Sequence, residues 1–124
     1  MTMRDSINAA RVGEPRPNGD GATVFEFRFG ADDPTFAGHF PGHPILPGVF
    51  QLEMVRMVAE SVLGCPLSIR EIRKAKFRRP ILPGEGVRVE LKVSSKDDVV
   101  QASACFSVSG QPAGETDLLL CRNE

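Results

Sequence analysis

Two side chains in this sequence have the types and spacing to move protons together: His39 and Glu53, fourteen positions apart. An imidazole titrates at about 6.5 and so acts as a base near neutrality. A free glutamate titrates at about 4.3 and becomes a proton donor only where apolar surroundings raise that value. The residues between them are built for stiffness. Pro41, Pro44 and Pro47 fix φ, while Gly38, Gly42 and Gly48 permit close backbone approach. A base on a rigid loop and a carboxyl group on a helix are the parts of a general acid/base site. His43, in the same loop, reads as an exposed residue.

The elements that must hold this pair follow from the surrounding pattern. Between Val49 and Leu63 apolar residues fall on nearly every face, and Gly64 and Pro66 stop the run. This predicts a helix of about 16 residues, roughly 24 Å long, buried on most sides, with Pro47 as its first residue. Its polar exceptions are Gln51, Glu53, Arg56, Glu60 and Ser61. Glu53, Arg56 and Glu60 share one side, so Arg56 can pair with either carboxylate. A pair with Glu53 keeps that group ionised.

The rest of the chain reads as strands. Residues 23–29 put Phe25, Phe27 and Phe29 on one face and Glu26 and Arg28 on the other. Val87, Val89, Leu91 and Val93 alternate with charged residues, and Val100, Ala102, Ala104, Phe106 and Val108 alternate with polar ones. Residues 68–78 predict a strand with Ile72, Ala75 and Phe77 inward. Residues 115–121 complete a meander, and residues 6–12 predict a short strand in a partly irregular stretch, 1–21. One long apolar helix followed by three or four antiparallel strands argues a single α+β domain over residues 1–124.

Composition narrows the function classes. The 124 residues suit one domain, and a net charge of −1 does not suggest a nucleic-acid partner. No apolar run is long enough for a membrane-spanning helix, and the first residues carry no secretory apolar core. The cysteines, Cys65, Cys105 and Cys121, are odd in number and lack C-x-x-C spacing. That indicates neither a disulfide framework nor a zinc site, and a reducing cytoplasm is expected. The charge is uneven, however. Arg70, Arg73, Lys74, Lys76, Arg78 and Arg79 are opposed locally only by Glu71. Such a cluster is either a solvated strand face or a docking surface for an acidic or phosphate-bearing partner.

The run Gly38-His39-Phe40-Pro41-Gly42-His43-Pro44-Ile45-Leu46-Pro47-Gly48-Val49, followed by Glu53, resembles the signature of the hotdog-fold (3R)-hydroxyacyl-[acyl-carrier-protein] dehydratases of the FabZ type. Lys76-Phe77-Arg78-Arg79-Pro80-Ile81-Leu82-Pro83-Gly84-Glu85 is similar to that family's second recurrent stretch. The resemblance implies a curved antiparallel sheet wrapped around the central helix. It implies that His39 takes the proton α to a thioester carbonyl. Glu53 then protonates the departing β-hydroxyl, directly or through water, and the Gly48 N–H meets the thioester oxygen. Phe50 and Phe77 are expected to line the substrate site. Arg73, Lys74, Lys76, Arg78 and Arg79 are expected to dock an acyl carrier protein, or the substrate is a coenzyme A thioester. No cofactor is implied. A homodimer, possibly a trimer of dimers, is implied as well, with the histidine and the acid of one site coming from different subunits. Two features depart from the family pattern. Met57 stands where a glutamine is usual, and residues 6–12 replace a longer apolar segment, which bears on tunnel length and on how the hydroxyl is positioned. A hotdog thioesterase using Glu53 as base and a non-catalytic acyl-binding subunit are the competing functions.

Overall fold

The computed structural model describes residues 2–30 and 45–123, so His39, His43 and the Asp32-Asp33-Pro34 break lie outside the described residues. The elements are α1 (Met3–Ala10), β1 (Arg16–Pro17), β2 (Thr23–Arg28), α2 (Gly48–Leu63), β3 (Leu67–Phe77), β4 (Gly86–Lys96), β5 (Val99–Val108) and β6 (Gln111–Arg122). The strands form one sheet in the order β1-β2-β4-β5-β6-β3, every pairing antiparallel. This is the expected α+β architecture. The alternation read along β4 and β5 is the inward row observed, with Val87, Val89, Leu91, Val100, Ala102, Ala104, Phe106 and Val108 all buried.

α2 supplies Met54, Val55, Met57, Val58 and Ala59 to the same core, together with Phe25, Phe27, Leu118 and Leu120. Fully burying one such large side chain is worth roughly 1.5–3 kcal/mol. An exposed ion pair contributes only about 0–1 kcal/mol, so this apolar seam rather than surface charge fixes α2 on the sheet. The helix ends at Gly64, whose φ of 71° is left-handed, with its N–H donating to Glu60 O at 2.8 Å.

Three expectations are corrected. Residues 6–12 do not form a strand: α1 covers most of them, and Arg11 alone bridges to Phe27. Thr2 and Asp5 cap α1 reciprocally, Asp5 N–H to Thr2 Oγ1 at 3.1 Å and Thr2 N–H to Asp5 Oδ2 at 3.0 Å. That capping box starts a helix, and its buried face is Ser6, Ile7 and Ala10. Pro47 is the N-cap of α2 and not its first turn, since its ψ of 146° is extended. The third correction concerns β3. Ile72 and Phe77 are 50% and 48% exposed, and Ala75 is exposed too. Among the described residues β3 is an edge strand that pairs only with β6, and its register slips twice, so inward alternation is lost.

Candidate active site

The stretch containing His39 departs from the described fold at one anchored point and returns at another. Phe29 O accepts from Gly84 N–H, and Leu46 N–H donates to Ile81 O, both at 2.8 Å. The segment of residues 80–84 therefore holds both flanks. Gly84 reaches its bond through a φ of 83°, which suits glycine.

Beyond Leu46 the chain enters α2. Pro47 provides no side-chain cap, and its carbonyl accepts from Phe50 N–H at 3.0 Å. Among the described residues the N–H groups of Gly48 and Val49 have no acceptor. They point from the positive end of a 16-residue helix and can take a partial negative charge. Phe77 lies directly against this turn. A Cβ built on Gly48 would sit 2.8 Å from Phe77 Cε2 and 2.9 Å from Cζ, so any larger residue there must push the Phe77 ring aside. Phe50 is partly buried and packs on the core. Gly48, Phe50 and Phe77 thus lie at the N-terminal end of α2.

Glu53 lies five residues on, roughly 7–8 Å along the axis. Its side chain is 22% exposed and is engaged by Arg56. Arg56 Nε donates to Glu53 Oε1 and Oε2 at 3.0 Å each, and Nη2 also donates to Oε1. The same guanidinium donates through Nη1 to Glu60 Oε2 at 2.8 Å and to Leu67 O at 3.0 Å. The two pairings weighed from the sequence therefore form together. The hydrogen bond to Glu53, opposed by burial and helped by both carboxylates, raises the Arg56 pKa above its ordinary value. Both Glu53 oxygens are thus taken up by Arg56 in this arrangement.

The basic residues of β3 and the following turn are less free than their local sequence suggests. Lys74 and Arg78 both pair with Glu115, at 2.8 and 2.9 Å, Arg73 pairs with Glu71, and Arg79 pairs with Glu85. Only Lys76 of the five expected docking residues has no ion pair among the described residues. Glu115 comes from β6, which lies beside β3 but far along the chain.

A cleft lined by Val12, Glu26, Arg28, Arg88, Ser107 and Ser109, among others, contains none of the site residues expected from the sequence. The residue that sequence reasoning missed is Gln51. It is the one buried polar side chain of α2, 3% exposed, and its Oε1 has no hydrogen-bond partner among the described residues. Its signal was legible as a lone amide in an otherwise apolar helical face.

Comparison with known proteins adds the family. Residues 16–113 match the family model of the ApeI-like proteins, described as ApeI dehydratase. The 3-hydroxyacyl-[acyl-carrier-protein] dehydratase FabZ of Desulforamulus reducens is 34% identical over 97 residues, covering 72% of this chain and 68% of the relative. The FabZ of Geotalea uraniireducens is 35% identical over 98 residues, covering 70% and 67%. Among solved structures, the dehydratase heterocomplex ApeI:P from Xenorhabdus doucetiae aligns with a TM-score of 0.78 at 24% identity, over 90% of this chain and 96% of that one. A hypothetical thioesterase with coenzyme A from Streptococcus pneumoniae aligns with a TM-score of 0.68 at 9% identity, over 89% and 87%. At these identities the two structures speak to the fold, which is the hotdog fold.

Proposed function

The chain belongs to the ApeI-like dehydratase family and is a dehydratase-like hydro-lyase, and from that premise we propose that it removes water from a (3R)-3-hydroxyacyl thioester, leaving the trans-2-enoyl thioester. His39 takes the α-proton. The C–H electron pair becomes the new double bond, and the β C–O bond breaks. Negative charge on the thioester oxygen is met by the Gly48 N–H at the uncapped start of α2. Glu53 supplies the proton that lets the hydroxyl leave as water, directly or through a water molecule.

The observation that carries this reading is the first turn of α2, which lacks a side-chain cap and has the Phe77 ring packed against Gly48, with Glu53 on the same helix. Arg56 bears on the proton. The acid role requires Arg56 to release Glu53 when substrate binds. The ion pair favours a variant of the same reaction. In it the His39 imidazolium returns its proton to the leaving oxygen, and Glu53 only orients the group.

The substrate is carried on an acyl carrier protein or coenzyme A, in fatty-acid or related acyl synthesis, and no cofactor takes part. Lys76, with the partly neutralised Arg73, Lys74, Arg78 and Arg79, faces the carrier. The active form is at least a homodimer, built by pairing the long exposed edge of β3 with its copy.

The test is turnover of 3-hydroxyacyl and 2-enoyl thioesters, followed by enoyl absorbance and by free-thiol release. His39→Ala is expected to lower turnover by roughly 10²–10⁴. Glu53→Gln should cost a similar factor if Glu53 donates the proton, and far less if it only orients. Free thiol without enoyl product would make the protein a thioesterase and reject the proposal, as would undiminished turnover by His39→Ala.

A further inference from the structure

The reaction above leaves one buried group unused. Gln51 Oε1 is shut away from water and accepts no hydrogen bond among the described residues. A buried acceptor without a donor costs roughly 1–3 kcal/mol, a cost that persists where a ligand supplies the missing donor. Its surroundings point the same way. A Cβ built on Gly114 of β6 would lie 3.7 Å from Gln51 Oε1, 3.7 Å from Phe77 Cα and only 2.7 Å from Lys76 O. Gly114 pairs with Phe77 in the sheet, and the Phe77 ring borders Gly48. So Gln51, Gly114, Phe77 and Gly48 form one continuous packed patch, with the Lys76 carbonyl leaving no room for a side chain at Gly114. Thr116, two residues along β6 on the same inward face, is 1% exposed, and its Oγ1 also lacks a partner. Two oxygens unpartnered among the described residues thus lie on the inner side of the patch that ends at Gly48.

We propose that Gln51 is a specificity residue: its side-chain oxygen accepts the hydrogen of the 3-hydroxyl of the acyl thioester, with the Thr116 hydroxyl beside it. This deepens the proposed function and rests on its substrate class. The atom types decide which end of the ligand is read. The thioester oxygen has no hydrogen and belongs at the Gly48 N–H, whereas an unpartnered acceptor needs an O–H. The 3-hydroxyl is the donor that the substrate has and a 3-deoxy acyl chain lacks. A site built around a buried partner rejects the analogue that leaves that partner bare. Met57, Val58 and Ala59, the other inward residues farther along α2, offer no side-chain hydrogen bond in its place.

The test compares binding of a 3-hydroxyacyl-pantetheine thioester with that of the saturated 3-deoxy thioester of equal length, by calorimetry. The full chain carries His39→Ala so that neither ligand is consumed. Preference for the hydroxylated ligand by about tenfold is expected with Gln51 present, falling to near equality in Gln51→Met. Thermal melting of Gln51→Met and Gln51→Leu should be unchanged or raised, because an apolar residue of similar shape removes an unsatisfied oxygen. Equal affinity for the two ligands with Gln51 present, or a preference that survives Gln51→Met, would overturn the inference while leaving the dehydratase reading intact. Clear preference in a protein whose unsubstituted form turns over no thioester would uphold the inference and remove the reading.

Discussion

Gly48 shows how narrowly one position is determined. Its N–H needs to be free, and its missing Cβ leaves the space that the Phe77 ring fills. Gly48→Ala forces that ring aside, an overpacking that typically costs about 1–3 kcal/mol. The expected result is a lower melting midpoint together with loss of turnover. Gly48→Ala with Phe77→Leu should recover stability more than activity, since the N–H is still displaced. Additive losses in melting would show that the two residues do not press on each other. Glu85 offers a second single-residue test. The Arg79 guanidinium, with the Leu82 N–H, holds its carboxyl below the ordinary carboxylate value, outweighing burial. A group with a depressed folded pKa adds stability that is present above its unfolded value, about 4.3, and lost as pH falls through the folded one. Glu85→Gln should therefore flatten the acid side of the stability curve. A curve that keeps its slope below pH 5 would argue against this.

The junction of α2 and β3 depends on a clamp that helix propensity does not supply. Leu67, the first residue of β3, donates its N–H to Glu60 Oε2 at 2.8 Å and accepts at its carbonyl from Arg56 Nη1 at 3.0 Å. Two side chains of the helix thus satisfy both backbone groups of one strand residue. Arg56 also faces Glu53, so one guanidinium joins a structural duty to the candidate acid. Arg56→Met should lower stability by roughly 1–3 kcal/mol in denaturant melts, because it strands a partly buried carboxylate and a carbonyl. Glu60→Gln keeps an acceptor for the Leu67 N–H and should cost less. Equal losses from the two would mean that the backbone contacts carry nothing. The register slips in β3 begin close behind this clamp, between Ile69 and Glu71.

Across the whole molecule, the sheet has one short edge and one long one. β1 spans two residues, whereas β3 presents eleven, with Ile72 and Phe77 half exposed. A long edge with apolar residues on it is a pairing surface. The proposed homodimer places a second β3 there, covering Ile72. Ile72→Lys is expected to yield monomers in sedimentation velocity and to lose turnover, because His39 and Glu53 of one site are proposed to come from different copies. A monomer that retains full turnover would remove the shared-site reading. No helix among the described residues is long and apolar enough to cross a membrane.

How much was legible before folding differs by element. Periods of 2 and 3.6 in β2, β4, β5 and α2 are local properties of the chain, and they located the core residues correctly. The Pro/Gly stretch and its motif marked the family as well, since a motif is a property of the sequence alone. The Thr2–Asp5 capping box is equally local, and it starts a helix where residues 6–12 predicted a strand. What local pattern could not carry was which strand lies at an edge, because that depends on pairing. So Ile72 and Phe77 read as inward and are not, and the charge on β3 read as free although β6 brings Glu115 against it. Arg56 could be seen to reach two carboxylates, but only packing of α2 on Leu67 gave it both at once. The loneliness of Gln51 Oε1 is likewise a fact of tertiary structure: a hydrogen bond is lost only when everything around the atom has taken its place.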